Sequence, residues 1–425
     1  TLFRSNVTDD CRGTFRKVFS FMDRDSLRLL AIVIGACLIM GICLGCEHAP
    51  QHPAQEPTDR YQKVPEGEFP TFSDDLDQAS LRAAIEQSLA YYARAPADRP
   101  QPLGAQQLSS EHVKASLLEF LKLLDSGSLS TESIKSRFDV YRAESARKDK
   151  LPLVTGYYEP ILDGRLKPDS QFQYPLYGLP SDLVAVDLSL FNAVKYGGES
   201  IVGRVKDAKL IPYFTREDID GQKRLKDTGT PLVWIQDPVD GFVLHIQGSG
   251  MIRLPHGQFR RLGYAGANGR PYKSLGKVLL DRGAMHPDEM SLQAIRAYLR
   301  SHPEERDELL WQNESYVFFH WVNDGPLGSL NVPLTGGRSI ATDTRYQPRG
   351  GIAFLEGQKP LIDERGELVG YAPLRRWVLN QDTGGAIKGV GRVDLFCGSG
   401  EAAEWVAGRM KHPGTLYFLI KKGMN

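Results

Sequence analysis

Apolar positions change their spacing near residue 150, and that change divides the chain. Leu81, Ile85, Leu89 and Tyr92 recur at helical intervals, and so do Val113, Leu117, Phe120, Leu121 and Leu124 up to Gly127, which predicts two amphipathic helices. Ile134, Phe138 and Tyr141 continue the pattern into a third. Beyond Lys150, short apolar runs are punctuated by Gly, Pro and Asp: residues 151–162, 173–179, 183–191, 231–236 and 242–254 read as strands. A helical passage follows, from Leu275, Val278 and Leu279 closing at Gly283, through Leu292, Ile295 and Leu299, to a turn opened by Pro303. Strands resume at Ser315 and recur at 338–343, 351–355, 366–371, 375–380 and 415–420. The fold class is mainly β with peripheral helices, and many short strands with glycine turns point to a barrel or sandwich.

The N-terminal segment has a different character. Leu29 to Gly45 is uncharged, follows Arg24 and Arg28, and ends in L-G-C-E at Cys46. It resembles a bacterial lipoprotein signal with Cys46 as the lipidated residue; Cys37 offers a competing box, and an uncleaved membrane anchor is the alternative. Either way the body is expected outside the cytoplasm, tethered to a membrane; as a lipoprotein it is expected to face the periplasm from the outer membrane of a Gram-negative cell, with the inner membrane left open. Residues 1–46 are thus upstream sequence plus signal. Residues 47–73, rich in Pro, Gln and Glu, read as a flexible tether.

Composition narrows the chemistry. With 52 basic and 52 acidic residues the net charge is zero, so nothing favours a nucleic-acid partner. Cys11, Cys37, Cys43 and Cys46 leave Cys397 alone in the body, where it reads as a small buried hydrophobe. HExxH, P-loop, G-x-S-x-G and dinucleotide motifs are missing from the sequence, and the histidine spacing marks no metal site, so neither metal nor cofactor is expected. His245 and His320 read as structural histidines in strand interiors.

The most informative stretch is Asn380 to Gly400, N-Q-D-T-G-G-A-I-K-G-V-G-R-V-D-L-F-C-G-S-G. It suits two short strands joined by tight glycine turns, each bringing one carboxylate, Asp382 or Asp394, to a common place. D-[ST]-G also occurs at Asp125 and Asp227, which raises an aspartic protease; only Asp382 ends an apolar run, so the other copies are turn chemistry. Tyr157, Tyr158, Glu159, Gln247, Tyr264, Asn268 and Tyr272 lie in turn-rich contexts where stacking faces and hydrogen-bonding tips could line a sugar cleft, although any one tyrosine could equally be packing.

Taken together, V-T-G-Y-Y-E-P (154–160), Q-G-S-G (247–250), Y-A-G-A-N-G-R-P-Y-K-S-L-G-K-V-L-L-D-R-G (264–283), S-L-Q-A-I-R (291–296), N-E-S-Y-V-F-F (313–319) and V-P-L-T-G-G-R-S-I-A-T-D (332–343) resemble the membrane-bound lytic murein transglycosylase A family. The resemblance implies a double-psi β-barrel domain, from residues 74–160 and 326–425, with a second β-rich domain inserted at 161–325 and the substrate groove between them. It implies the family's three aspartates at Asp343, Asp382 and Asp394, with Asp394 the catalytic acid and Asp382 its support. It also places Thr155, Gly156, Ser249, Gly384, Gly385 and Lys388 beside the substrate. The implied reaction is non-hydrolytic cleavage of peptidoglycan glycan strands. Cell-wall synthesis enzymes or amidases are conceivable partners, and a non-catalytic peptidoglycan-binding barrel is the rival reading. Arg392, two residues from Asp394, would lower that acid's pKa if it shared its face, so a bulge near the Gly389 and Gly391 turn, or an ion pair to another acid, is expected to turn it aside.

Overall fold

The computed structural model describes residues 60–146, 150–196, 199–226 and 230–423, which belong to one compact unit. The apolar run at 29–45 and Cys46 lie outside the described residues, within which no helix is long and apolar enough to cross a membrane.

Two helices cover one side of the body as their spacing predicts. α1 (Gln78–Tyr92) starts where the Asp77 carboxylate accepts from the Ser80 N–H, and α2 (Ser110–Asp125) starts at a capping box between Ser109 and His112. Their buried stripes, Leu81 and Ile85 on one, Val113, Leu117 and Phe120 on the other, converge on Trp377. Its indole is fully buried, with the rings of Phe120, Phe354 and Phe72 centred 4.7, 4.9 and 5.0 Å away. Trp377→Ala would cost about 3–5 kcal/mol through the cavity it leaves. The third helix is a single short piece, Thr131–Arg137, and Phe138 and Tyr141 instead begin and occupy a strand, Phe138–Glu144. Phe138 is aromatic, a residue type that suits a strand with one buried face, and its ring packs against Phe120.

The strands β1 (Leu153–Glu159), β2 (Ser339–Ala341), β3 (Leu368–Asp382) and β4 (Arg392–Ser399) belong to a nine-stranded sheet. Across it the order is Arg60–Lys63, Phe138–Glu144, Thr415–Lys421, Ile352–Ile362, β3, β2, β4, β1 and Lys411–Pro413. Arg60–Lys63, within the stretch expected as a tether, is thus an edge strand. A six-stranded sheet runs Val317–Val322, Phe259–Ala267, Gly250–Arg253, Ile161–Arg165, Pro231–Ile235 and Tyr174–Tyr177, so its strands lie between β1 and β2 in sequence. The mixture of strands with flanking helices matches the mainly β class.

One stretch expected as a strand is largely helical. Within residues 242–254, α3 (Pro238–Gln247) begins at the Asp237 cap with Pro238 in the first turn and stops at Gly248, whose φ of 80° ends the helix; only Gly250–Arg253 is strand. Val239, Phe242, Val243 and Leu244 are all buried, and burial on several sides erases the amphipathic period that would have announced the helix. His245 therefore sits on a helix, not in a strand.

α3, α4 (Leu292–Ser301) and α5 (Glu401–Ala407) supply Val243, Leu292, Ala403 and Ala407, which pack with Tyr158 on one face of β1. Gly156 allows this approach, since a Cβ there would stand 2.9 Å from the Ala407 Cα. Alternation along β1 sends Thr155 and Tyr157 to the opposite face.

Candidate active site

Asp382 and Asp394 do not meet across a hairpin. The short strand β2 lies between β3 and β4, and Ala341 is in register with Asp382 on one side and Asp394 on the other. Residues in register share a face, so both carboxylates flank the Ala341 side chain, their strands two spacings of ~4.8 Å apart. β1 pairs in parallel with β4 and brings Thr155 level with Asp394.

Asp394 has few partners. The Thr155 hydroxyl donates to its Oδ1 at 2.7 Å, and no protein donor reaches Oδ2 among the described residues. Burial, seconded by the Asp382 charge and opposed by the Thr155 bond and the Arg392 cation, pushes its pKa up to about 6. Asp382 is more tightly held: the Tyr157 hydroxyl donates to Oδ2 at 2.9 Å, while the N–H groups of Ser329 and Thr383 donate to Oδ1 at 2.9 and 2.8 Å. Burial raises its pKa too, against those three donors. Tyr157, whose ring lies 5.2 Å from that of Phe396, stays neutral because burial and the Asp382 charge raise its own pKa well above the usual phenol range.

The ion pair expected for Arg392 is missing: no acid pairs with it among the described residues, and from Arg392 to Phe396 β4 runs in unbroken register with β1. Its Nη2 instead donates to Thr155 Oγ1 at 3.2 Å. One hydroxyl stands between cation and carboxylate, so Arg392 lowers the Asp394 pKa without forming an ion pair.

The remaining candidates separate into three groups. Several are committed to structure. Asp343 is held by Arg345, at 3.0 and 2.7 Å, and by the Gly389 N–H at 2.8 Å; despite burial, which acts to raise it, these partners keep its pKa below the ordinary value. Glu159 is fully buried between Arg261, at 2.5 Å, and the Ser399 hydroxyl at 2.6 Å, and so joins the two sheets. Asn268 spends its amide on the carbonyls of Phe214 and Glu314 and on the N–H of Tyr316. Gln247 accepts from the Tyr158 N–H at 3.0 Å, Tyr158 is buried, and Gly156 serves packing. Others border the carboxylates: Thr155, Tyr157, and Tyr272, which is partly exposed and lies where the charges of Arg392 and Asp394 act on its hydroxyl. Gly384, Gly385 and Lys388 are in the loop after Asp382. Tyr264 is exposed and Ser249 half-buried, and neither is hydrogen-bonded to the carboxylates. Cys397 is on the far face, where burial pushes its thiol up to about 12. Sequence reasoning missed Ser329, which acts through its backbone and leaves no signal in side-chain identity, and Arg261, an unremarkable cation on a strand.

Comparison with known proteins places this geometry. A model for the MltA specific insert domain matches residues 153–320, and one for the 3D domain matches 338–420. The membrane-bound lytic murein transglycosylase A of Escherichia coli K12 is 34% identical over 284 residues, 66% of this chain and 69% of that protein. The chain belongs to the lytic murein transglycosylase A family. The Vibrio cholerae protein of the same name is 33% identical over 67% of this chain and 70% of its own. Among solved structures, the membrane-bound lytic murein transglycosylase of Agrobacterium tumefaciens superposes with a TM-score of 0.70 at 29% identity, covering 85% of this chain and 98% of that one. Escherichia coli MltA with bound chitohexaose superposes at 0.63 with 26% identity, covering 86% and 96%. These likenesses put the fold with the family's double-psi barrel structures.

Proposed function

We propose that Asp394 is the single acid and base of a peptidoglycan lytic transglycosylase that cleaves between N-acetylmuramic acid and N-acetylglucosamine. The observation that carries this reading is the contrast between the carboxylates. Asp382 already accepts three hydrogen bonds, whereas Asp394 has one oxygen without a protein donor and a pKa near 6. A hydrolase needs two working carboxylates, one to protonate the leaving oxygen and one to attack or to activate water. Asp382, with its lone pairs engaged, is poorly equipped for the second task.

The chemistry follows from one proton that leaves and returns. At pH 7 an acid of pKa 6 is protonated in about a tenth of molecules, against roughly one in a thousand for an ordinary aspartic acid. Asp394 gives its proton to the glycosidic oxygen as the bond to C1 breaks, releasing the N-acetylglucosamine hydroxyl. Asp382, an anion fixed by Tyr157, Ser329 and Thr383, stabilises the positive charge that develops on the sugar. The C6 hydroxyl of the same muramic acid then attacks C1. Its proton passes to the Asp394 carboxylate, and a 1,6-anhydro end remains. Because this nucleophile is already tethered, positioning supplies much of the acceleration and no water is consumed. Tyr272, Tyr264 and the Gly384–Gly385–Lys388 loop are the substrate contacts that best fit the geometry.

Digestion of purified sacculi tests the assignment. Wild-type protein is expected to release anhydromuropeptides detectable by mass, and Asp394→Asn to release none while still pelleting with sacculi. Release by Asp394→Asn removes Asp394 from its role. Binding without release by the wild type favours a non-catalytic wall-binding barrel. The relatives are named membrane-bound, and we place this chain on the periplasmic side of the outer membrane through a lipid on Cys46; Cys46→Ala is expected to shift it to the soluble fraction, and persistence in the membrane fraction would point to Cys37 or to an uncleaved anchor.

A further inference from the structure

A recess lies beside the helices that pack on the face of β1 opposite the carboxylates. A groove of about 550 Å³ opens between the start of α3, α4 and the strand Ile161–Arg165. It shares Tyr174, Ile235 and Pro238 with a smaller inner cavity of about 70 Å³. α3, α4 and Tyr158 lie on one side of the β1–β4 pair, Thr155, Asp382 and Asp394 on the other, so this recess is not the catalytic groove.

The inner cavity is built around a hydrogen-bond donor that has nothing to bond. Arg216, 2% exposed, lies above the rings of Phe242 and Tyr316 and donates from Nη1 to His245 Nδ1 at 2.8 Å. A guanidinium can only donate, so Nδ1 must be the unprotonated nitrogen. Burial and the Arg216 charge hold the His245 pKa well below its ordinary value, so the ring is neutral and its proton is on Nε2. That N–H is buried and has no partner among the described residues. The Asp220 carboxylate lines the same cavity, its Oδ2 3.6 Å from Arg216 Nη1. Asp220 is on a five-residue π-helical turn, Glu217–Gly221, a rare conformation that often marks functional positions.

One cavity lined by an unpartnered buried donor, a carboxylate acceptor and the rings of Phe242, Trp311 and Tyr316 has the chemistry that suits a small amide. A carbonyl would accept from His245 Nε2–H, an amide N–H would donate to Asp220, and a methyl group would rest on the rings. The charges lining the cavity balance, Arg216 and Lys223 against Asp220 and Asp307, so a neutral dipolar ligand suits it better than an ion. We propose that the inner cavity takes the acetamido group, and the outer groove the ring, of an N-acetylated sugar, forming a second, non-catalytic hold on the glycan strand. This rests on the reading of peptidoglycan as substrate, and it would keep the enzyme on the wall between cleavage events.

The test is titration of the full-length, histidine-selectively ¹⁵N-labelled wild-type protein with methyl N-acetyl-β-glucosaminide, which contains no bond the enzyme cleaves. The His245 Nε2–H resonance is expected to move saturably, and methyl β-glucoside, lacking the acetamido group, to leave it in place. His245→Phe, which keeps the ring stacked on Phe319, should weaken sacculus binding roughly tenfold, the loss of about one hydrogen bond. An unmoved resonance, or equal movement with both glycosides, overturns the proposal. If anhydromuropeptides are still released in that case, the catalytic assignment stands and only this site falls; if they are not, both fall.

Discussion

Asp394→Asn should stabilise the protein while abolishing turnover. Burial raises the Asp394 pKa from 3.8 to about 6, a gap of roughly two units, each worth about 1.36 kcal/mol. The sign follows from the direction. A folded-state pKa above the unfolded one means that the fold prefers the protonated acid, so this contribution is fully present below pH 4 and is lost as pH rises through 6. Linkage gives a penalty of about 1.6 kcal/mol at pH 5 and about 3 kcal/mol at pH 7.5. Asparagine keeps the shape and can still accept from Thr155, but it carries no charge to desolvate. Solvent reaching this half-buried residue trims the gain to roughly 1.5–3 kcal/mol at pH 7.5, or about 2–4 °C in melting temperature for a body of this size. Thermal unfolding of both proteins at pH 5 and pH 7.5 reads the difference directly. The reasoning is refuted if the variant is no more stable at pH 7.5, or if its gain is the same at both pH values, which would make packing, not ionisation, the cause.

Other outcomes follow from the same contacts. Because the protonated acid is consumed first, kcat/KM should fall tenfold per pH unit above about 6 on the alkaline side; a flat profile to pH 8 in sacculus digestion would contradict it. Tyr157→Phe keeps the ring against Phe396 but removes a donor to Asp382, and should lower the initial rate about tenfold with little change in melting temperature. Gly156→Ala puts a methyl 2.9 Å from the Ala407 Cα and should cost about 1–3 kcal/mol in urea unfolding. Arg261→Ala strands the fully buried Glu159 with only Ser399 and should cost about 3–5 kcal/mol, most of it recovered by adding Glu159→Gln.

The sheet was legible wherever one face is wet or a turn residue interrupts an apolar run, and the helical passage from Leu275 to Trp311 was legible from its period and stops. α3 was not, because its buried surround removes the polar face on which period detection relies. α5, only seven residues long and without a side-chain cap, gave no start signal either. Local pattern made the site legible as a set of carboxylates, while the division of labour between Asp394 and Asp382 was implied only by the family resemblance. Asp343 and Asp382 look alike in sequence, yet Arg345 neutralises one and the backbone of Ser329 pins the other.

By itself the sequence determined which residue types meet: two aspartates in glycine-rich turns, a threonine and two tyrosines on G-Y-Y-E, and an arginine two residues before the acid. Tertiary structure alone decided their placement and their surroundings. β2, more than forty residues earlier in the chain, inserts between the two aspartate strands and sets both carboxylates on one face through Ala341. Burial then raises the Asp394 pKa, and Thr155 keeps Arg392 one hydroxyl away. The reason is physical: a pKa depends on desolvation and on charges within a few ångströms, and both are properties of packing between distant segments, which local spacing does not encode.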